Sequence, residues 1–176
     1  MKWFAFILFV SAPVLTGCSQ DTGLSAIEKL VRAQYPDVDQ ISTEELARRL
    51  GTDTTLVLID TRTREEYDVS HLPGAIWVDP ESTTFPELGE RVQGKSVIAY
   101  CSVGYRSSEI AARMKDAGFE DVSNLEGSIF RWANEGRPVV TNSGPATGVH
   151  PFSRTWSRLL NDDLHDYGTA TESGGQ

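Results

Sequence analysis

VIAYCSVGYRS, residues 97–107, joins a strand-like run to a helix-like run through a single cysteine. Its first four residues are apolar and typical of a short buried strand. The segment that follows is amphipathic, with Ile110 and Met114 at helical spacing and Gly118 as a stop signal. The pattern therefore predicts that Cys101 lies where a strand ends and a tight loop leads into a helix.

This predicted position favours ionisation of the Cys101 thiol. In open α/β sheets, ligands bind at the ends of strands where the following helices begin. Loop amides, the helix dipole and the guanidinium of Arg106 all attract an anion there. Such surroundings lower a cysteine pKa from about 8.5 to about 3.5–7.5. The alternative is an unreactive buried cysteine, which is common at strand ends but would require neither Gly104 nor a closely following arginine.

The loop Cys-Ser-Val-Gly-Tyr-Arg-Ser resembles the active-site loop of rhodanese-like sulfurtransferases. The resemblance implies that Cys101 carries a persulfide, that loop amides hold it, and that the Arg106 side chain steers or holds the donor anion. The substrate-binding residues would then be Ser102, Val103, Gly104, Tyr105 and Arg106. Related dual-specificity phosphatases and arsenate reductases have one more residue between cysteine and arginine, which makes room for a phosphate-sized oxyanion. The shorter spacing therefore favours a sulfurtransferase.

Motifs upstream of the loop extend this resemblance. The continuous apolar run 56–59, which closes in Asp60, is typical of a buried parallel strand. Four polar residues after it match the family pattern: Asp60, Arg62, Glu66 and His71. We interpret them as structural support of the site, with Asp60 holding loop amides and Arg62 paired with Glu66. The alternatives are an acid and an electrophile at Asp60 and Arg62, and a general base at His71.

Two serines stand where the family usually has glycine. Ser70 precedes His71, and Ser128 lies in a segment, 126–132, that resembles the family's closing motif. If the backbone at Ser70 is left-handed, the serine adds a small strain. Trp132 is interpreted as a core residue, with a wall of the substrate site as the alternative.

The resemblance covers about residues 40–140 and implies a single α/β domain, with a parallel sheet of about five strands and helices on both faces. A capping-box pattern at Ser42 and Glu45 predicts one further helix start. The remaining predicted elements are strands at 75–78 and 122–125 and a loop with an irregular helix at 80–94.

Residues 1–17 are predicted to be a lipoprotein signal peptide. The apolar run 3–10 is too short to span a membrane and fits a secretory signal. It ends in Leu-Thr-Gly-Cys, which resembles a bacterial lipobox and implies cleavage before Cys18 and lipidation of that residue. The alternative is an ordinary signal peptide with a chance cysteine. Because Ser19 follows where many inner-membrane lipoproteins have Asp, we expect a cell-envelope protein, anchored in the outer membrane and facing the periplasm if the source has two membranes. In a source with a single membrane, the protein would lie on its outer face.

Composition narrows the chemistry further. The formal net charge of −9 argues against nucleic-acid binding, which depends on Lys and Arg. The chain has two cysteines, so a lipidated Cys18 would leave Cys101 without a partner in its own chain. No CxxC or Cys/His cluster suggests zinc, and we expect neither a metal nor a cofactor.

The flanks of the domain carry weaker signals. Within 18–39 we predict a polar tether over 19–23 and then a helix that ends before Pro36. Residues 141–176 are predicted to contain a linker over 142–148, a docking helix within 150–163 and a disordered tail over 167–176. The apolar residues expected to dock that helix on the domain are Phe152, Trp156 and Leu160. No role is assigned to His150 or His165.

The function expected from these observations is sulfur transfer from thiosulfate or a similar small anionic donor. Cys101 would take up the sulfur as a persulfide and pass it to cyanide, to an acceptor thiol or to a partner protein. Two alternatives remain open at this point. One is a catalytically idle rhodanese-like binding module at the cell envelope, and the other is a phosphatase or arsenate reductase.

Overall fold

A five-stranded parallel sheet forms the centre of the computed structural model, which describes residues 18–86 and 88–168. Its strands are β1 (Asp39–Ile41), β2 (Leu56–Asp60), β3 (Ile76–Trp77), β4 (Ser96–Tyr100) and β5 (Val122–Leu125). They lie in the order β1-β5-β4-β2-β3, and every neighbouring pair is parallel. The predicted α/β fold with about five parallel strands is confirmed.

Helices cover both faces of this sheet. They are α1 (Cys18–Gln34), α2 (Thr43–Arg49), α3 (Arg64–Val69), α4 (Tyr105–Asp116) and α5 (Ser128–Asn134), with 3-10 turns at Gly89–Val92, Trp156–Leu159 and Asp162–Leu164. On one face, Leu58 packs in a core with residues of α1, α2 and α5. On the other face, Ile59 packs in a second core with Ile110 and Met114 of α4. Neighbouring residues of a strand point to opposite faces, so the apolar run in β2 supplies both cores.

Helix α1 is longer than the sequence pattern predicts. It begins at Cys18, so the predicted tether over 19–23 is helical. Arg131 of α5 holds this first part through ion pairs with Asp21 at 2.7 Å and Glu28 at 2.5 Å. A Cβ atom at Gly23 would lie only 2.6 Å from Leu159 Cδ2, so the helix also contacts the C-terminal region closely. These contacts join residues that are far apart in the chain, and a local pattern does not show them.

The chain after α5 also differs from the prediction. The predicted linker over 142–148 is part of an antiparallel hairpin, β6 (Val139–Thr141) and β7 (Gly144–Ala146). The segment 150–163 forms 3-10 turns instead of the predicted helix.

We refer to residues 149–168 as the C-terminal strap. Leu160 is fully buried in the strap and Trp156 is half-buried against the core, as predicted for docking, but Phe152 is 45% exposed. The predicted disorder begins too early, because the ring of Tyr167 lies 5.9 Å from that of His150.

Several predictions fall outside the described residues. These are the signal peptide over 1–17 with its lipobox and the tail from residue 169 onward. Within the residues described, no helix combines the length and the apolar character that crossing a membrane requires.

The buried position of Leu160 leads to a stability prediction. Leu160→Ala should lower the free energy of unfolding by about 2–5 kcal/mol, because it leaves a cavity under the strap. The same substitution at Leu30, which is 63% exposed, should change it by less than about 0.5 kcal/mol. Urea denaturation of both variants measures the difference. Equal losses would show that the strap is not packed on the domain.

Candidate active site

Cys101 directly follows β4 and precedes α4, which confirms the predicted strand–loop–helix arrangement. The neighbouring strand β2 ends at the same edge, where the Thr61 N–H donates to the Tyr100 carbonyl at 2.9 Å. Gly104 takes a left-handed conformation with φ of 104° at the start of α4. A Cβ atom at Gly104 would lie 3.2 Å from Asn124 Nδ2, so both the turn and the space favour glycine.

The Cys101 thiol is buried and polarised toward its ionised form. Its residue is 1% exposed, and the Gly104 N–H donates to Sγ at 3.2 Å. Burial alone would raise the pKa of Cys101, but the charge of Arg106 and hydrogen bonds from the Ser107 hydroxyl and the Ser107 and Gly104 amides outweigh it. The pKa of Cys101 is therefore lowered, which favours the nucleophilic thiolate.

Ser107 was not among the predicted site residues, although it closes the loop sequence. Its hydroxyl donates to Asn124 Oδ1 at 2.6 Å, and Asn124 Nδ2 donates to Gln40 Oε1 at 2.7 Å. A hydroxyl has one proton, so donation to Asn124 and donation to the Cys101 sulfur are alternative states of Ser107. The hydroxyl directly after Arg106 was the available signal for Ser107, whereas the sequence contains no signal for Asn124.

Ser128 supports the floor of the loop. Its φ of 52° lies in the left-handed region that favours glycine. The Ser128 hydroxyl accepts the Cys101 N–H at 3.2 Å and donates to the Leu125 carbonyl at 3.0 Å. Glycine could make neither contact, so the serine compensates for its strained backbone by fixing Cys101. The conditional strain at Ser70 does not arise, because a φ of −170° there is extended backbone.

The predicted Arg62–Glu66 pair is wrong, because Glu66 pairs with Arg106 instead. Arg106 Nη1 and Nη2 donate to the two carboxylate oxygens of Glu66 at 2.9 and 3.0 Å. The Ser102 hydroxyl donates to Glu66 Oε1 at 3.0 Å, and Arg106 Nη2 also lies 3.0 Å from the Ser102 hydroxyl. The side chain of Glu66 is 2% exposed. This carboxylate therefore binds two residues of the Cys101 loop at once.

The pairing with Glu66 restricts what Arg106 can do. Nη1 and Nη2, the atoms suited to bidentate recognition of an anion, are occupied by Glu66. Phe152 of the strap covers the guanidinium, with its ring centroid 4.7 Å from Arg106 Cζ. In this conformation Arg106 acts on Cys101 through its charge. The two terminal nitrogens that would hold a donor anion are already bound to Glu66.

Arg62 pairs with Asp60 in a fully buried contact. Nη2 of Arg62 lies 2.7 Å from Asp60 Oδ2, and both side chains are 0% exposed. Asp60 also accepts the Arg62 backbone N–H at 3.0 Å, which is the amide-holding contact predicted for it. Isolated buried charges are costly, and this mutual pairing fixes the turn after β2.

His71 makes structural contacts. Its Nδ1 lies 3.0 Å from the Tyr67 carbonyl oxygen, and its ring stacks on that of Tyr67 at 3.9 Å. The backbone of His71 forms an antiparallel bridge with Val140 of β6. These contacts favour the supporting interpretation over a general base. Trp132 is 2% exposed and belongs to the core, as predicted.

The predicted substrate-binding residues differ in accessibility. Ser102, Val103 and Gly104 are buried, whereas Tyr105 is 46% exposed and its ring lies edge-on to Tyr35 at 5.5 Å. A cavity of about 580 Å³ lined by Lys95 and Phe119, among others, lies at the opposite edge of the sheet, where β4 and β5 begin. In the ranges 18–86 and 88–168, no three His, Cys, Asp or Glu side chains are grouped so that they could hold a metal ion.

Comparison with known proteins agrees with this geometry. Residues 42–135 match the family model described as a rhodanese-like domain. The chain is 32% identical over 107 residues to a sulfurtransferase of Allochromatium vinosum, and the match covers 61% of this chain and 99% of that protein. It is 35% identical over 107 residues to the probable adenylyltransferase/sulfurtransferase MoeZ of Mycobacterium tuberculosis, covering 60% of this chain but only 27% of MoeZ.

A solved structure shows the same fold. The thiosulfate sulfurtransferase of Pseudomonas aeruginosa superposes with a TM-score of 0.57 at 21% identity, covering 77% of this chain and 26% of that one. At this identity the likeness concerns the fold alone. The family match spans more than half of the chain and includes the Cys101 loop, and the A. vinosum relative is matched over nearly its whole length. This chain therefore belongs to the rhodanese-like domain family.

Proposed function

We propose that this protein is a sulfurtransferase in which Cys101 carries the transferred sulfur as a persulfide. The observation that carries the proposal is a buried thiol at the start of α4 that accepts the Gly104 N–H at 3.2 Å. The charge of Arg106 and the nearby donors lower the pKa of this thiol. The relatives named as sulfurtransferases support this reaction class. An idle binding module would not require hydrogen-bond donors arranged around a buried thiol.

The first half-reaction takes sulfur from a donor such as thiosulfate. The Cys101 thiolate attacks the outer, sulfane sulfur, and a new S–S bond forms as the bond to the sulfite sulfur breaks. Sulfite leaves with the electron pair of that bond, so one thiolate and one thiosulfate dianion become one persulfide anion and one sulfite dianion. No proton has to move, which agrees with the structural contacts of His71.

The persulfide anion needs donors that are already in place, because preorganised dipoles stabilise charge without reorganising. The amides of Gly104 and Ser107 face the Cys101 sulfur and supply them. Arg106 adds its positive charge, although Glu66 occupies its fork. We therefore assign Arg106 an electrostatic role and assign the contact with the persulfide to the amides.

In the second half-reaction an acceptor removes the outer sulfur. A cyanide ion or a thiolate attacks it, and the S–S bond breaks to regenerate the Cys101 thiolate. With cyanide the product is thiocyanate, and with a thiol it is a persulfide on the acceptor. The enzyme alternates between two covalent states, so the kinetics should be ping-pong. The physiological acceptor would be a thiol or a partner protein, and nucleic acid is not expected to bind a chain with a net charge of −9.

Persulfide formation can be tested by intact-mass spectrometry. Thiosulfate should add one sulfur atom to the purified protein, and cyanide should remove it. Cys18→Ala is the matched control, because it removes the other cysteine of the chain and should still accept sulfur. Cys101→Ser should not. Sulfur uptake and turnover by Cys101→Ser at the wild-type level would contradict the proposal.

The role of Arg106 can be tested through pH dependence. In a Cys18→Ala background, the rate of iodoacetamide alkylation should reach half its maximum below the pH of an ordinary thiol, because the pKa of Cys101 is lowered. Arg106→Gln should move this midpoint upward, since it removes a positive charge that favours the thiolate. Arg106→Lys also loses the fork but keeps the charge, so its midpoint should stay low.

A control variant completes this test. Arg137 stacks on Trp132 and pairs with Glu135. Arg137→Gln should leave the midpoint unchanged. If Arg106→Gln has the wild-type midpoint, the charge of Arg106 does not set the reactivity of Cys101.

We further propose that the protein is exported and anchored by lipid on Cys18. The lipobox-like Leu-Thr-Gly-Cys supports this, and Ser19 after the cysteine supports the outer membrane, with the domain facing the periplasm. Residues 1–17 would be the removed signal, and the mature chain would begin at the first residue of α1. Two or more acyl chains are needed for stable anchoring, which matches lipid on both the thiol and the new amino terminus.

Metabolic labelling with a fatty acid tests the anchor. The wild type should incorporate label and partition into detergent, whereas Cys18→Ala should do neither. Cys101→Ser should behave as the wild type, which separates anchoring from catalysis. An unlabelled, uncleaved wild-type protein would contradict the lipid anchor. It would leave the proposed chemistry of Cys101 unaffected.

A further inference from the structure

The C-terminal strap places an aromatic ring on the catalytic loop. The Phe152 ring lies over Arg106 with 4.7 Å between ring centroid and Cζ. Phe152 is separated by 51 residues of sequence from Cys101 and follows the region that matches the family, which ends at residue 135. The contact therefore involves a residue outside the part of the chain that matches the family model.

Phe152 adopts an unfavourable backbone conformation to make this contact. Its φ of 63° is left-handed, which is rare for a bulky side chain. Burial does not offset that strain, because Phe152 is 45% exposed. The stabilising contacts are the ring on Arg106 and the Phe152 N–H, which donates to His150 Nδ1 at 3.1 Å. A strained residue held against a reactive loop indicates a role at that loop.

Both ends of the segment that presents Phe152 are fixed. Val149 is fully buried, its N–H donates to the Leu164 carbonyl at 2.8 Å, and its carbonyl accepts the Asp166 N–H at 3.1 Å. On the other side Leu160 is fully buried, and the Asn134 side chain donates to the Leu159 carbonyl at 2.8 Å. Between these anchors, Phe152, Arg154 and Thr155 are exposed. Any movement of this segment is thus confined to the tip that carries the Phe152 ring.

The loop beneath this tip is buried. Cys101 is 1% exposed, and Ser102 and Val103 are each 5% exposed. Glu66 occupies the fork of Arg106, and the Phe152 ring covers its guanidinium. The Phe152 ring and the Arg106–Glu66 pair therefore cover one side of the loop that holds Cys101.

We propose that Phe152 controls access to Cys101 and makes the site selective for small or slender reagents over bulky thiols. The inference deepens the proposed function, on which it rests, by naming the class of acceptor. Thiosulfate and cyanide are slender enough to reach the sulfur with the ring in place. A bulky acceptor reaches it only when the Phe152–Arg106 contact opens.

Thiol labelling tests this inference without requiring sulfur transfer. In a Cys18→Ala background Cys101 is the only cysteine of the chain. The measured quantity is the ratio of the rate constants for a bulky pyrenyl maleimide and for iodoacetamide. Phe152→Ala should raise this ratio about fivefold, the factor expected when a contact worth ~1 kcal/mol no longer has to open.

Two further variants separate the ring from the fold. Phe152→Gly removes the ring and also relieves the left-handed strain, so it should raise the ratio equally with no loss of thermal stability. Leu30→Ala truncates an exposed apolar side chain of α1 and should leave the ratio unchanged. An unchanged ratio in Phe152→Ala and Phe152→Gly, or an equal rise in Leu30→Ala, would overturn the inference.

Sulfur transfer provides a second readout. In Phe152→Ala, kcat/KM for glutathione as acceptor should rise relative to kcat/KM for cyanide by the same factor. A change in the labelling ratio without any sulfur transfer would refute the proposed function and leave the barrier intact. Sulfur transfer with an unchanged labelling ratio would refute the barrier and leave the function intact.

Discussion

The arrangement of this site depends on the hydrogen bonds that the Glu66 carboxylate accepts. The carboxylate accepts four hydrogen bonds, from the Thr63 backbone, the Ser102 hydroxyl and both terminal nitrogens of Arg106. Burial raises the pKa of Glu66, but the hydrogen bonds and charge of Arg106 and the Thr63 amide outweigh it, so the pKa is lowered and the group stays ionised. The residue that completes the capping box of α3 thus also binds Ser102 and Arg106, at the two ends of the loop that follows Cys101.

The contact between Glu66 and Arg106 leaves Arg106 with only one of two possible functions. A guanidinium can bind an anion through its fork or act at a distance through its charge. Because Glu66 engages the fork, the charge is what reaches Cys101. The opposing carboxylate weakens that charge, and the amides of Gly104 and Ser107 contribute to lowering the pKa of the thiol as well. The site therefore polarises its nucleophile with several donors of moderate strength.

Local patterns were sufficient to predict the centre of the fold. Burial on both faces of the sheet accounts for the apolar runs of β2 and β4. Burial of one face of α4 accounts for its helical spacing. Long-range pairing was not predictable in the same way. Arg62 could have paired with Asp60 or with Glu66, and only the packing of α3 against the catalytic loop decides between them. The floor contact made by Ser128 depends on how α5 meets the loop after β4, which spacing does not report.

The contacts of the strap also could not be predicted from a local sequence pattern. The spacing of Phe152, Trp156 and Leu160 suggested one helical face, yet only Leu160 is fully buried. His150 has no motif in the sequence, but in the structure it accepts the Phe152 N–H. Apolar residues in a segment without regular structure can be placed by single contacts, and a periodic pattern then carries no information about their partners.

Helix α1 has a consequence for how the protein can search its surroundings. It starts at Cys18, is about 26 Å long at 1.5 Å per residue, and is joined to α5 by the ion pairs of Arg131. If Cys18 carries the lipid, helix α1 leaves no flexible chain between the folded domain and the bilayer. A domain on a flexible linker explores a volume set by the length of the linker. This domain would instead move mainly parallel to the plane of the membrane. Encounters with other molecules would then be governed by lateral diffusion and by the orientation of the domain.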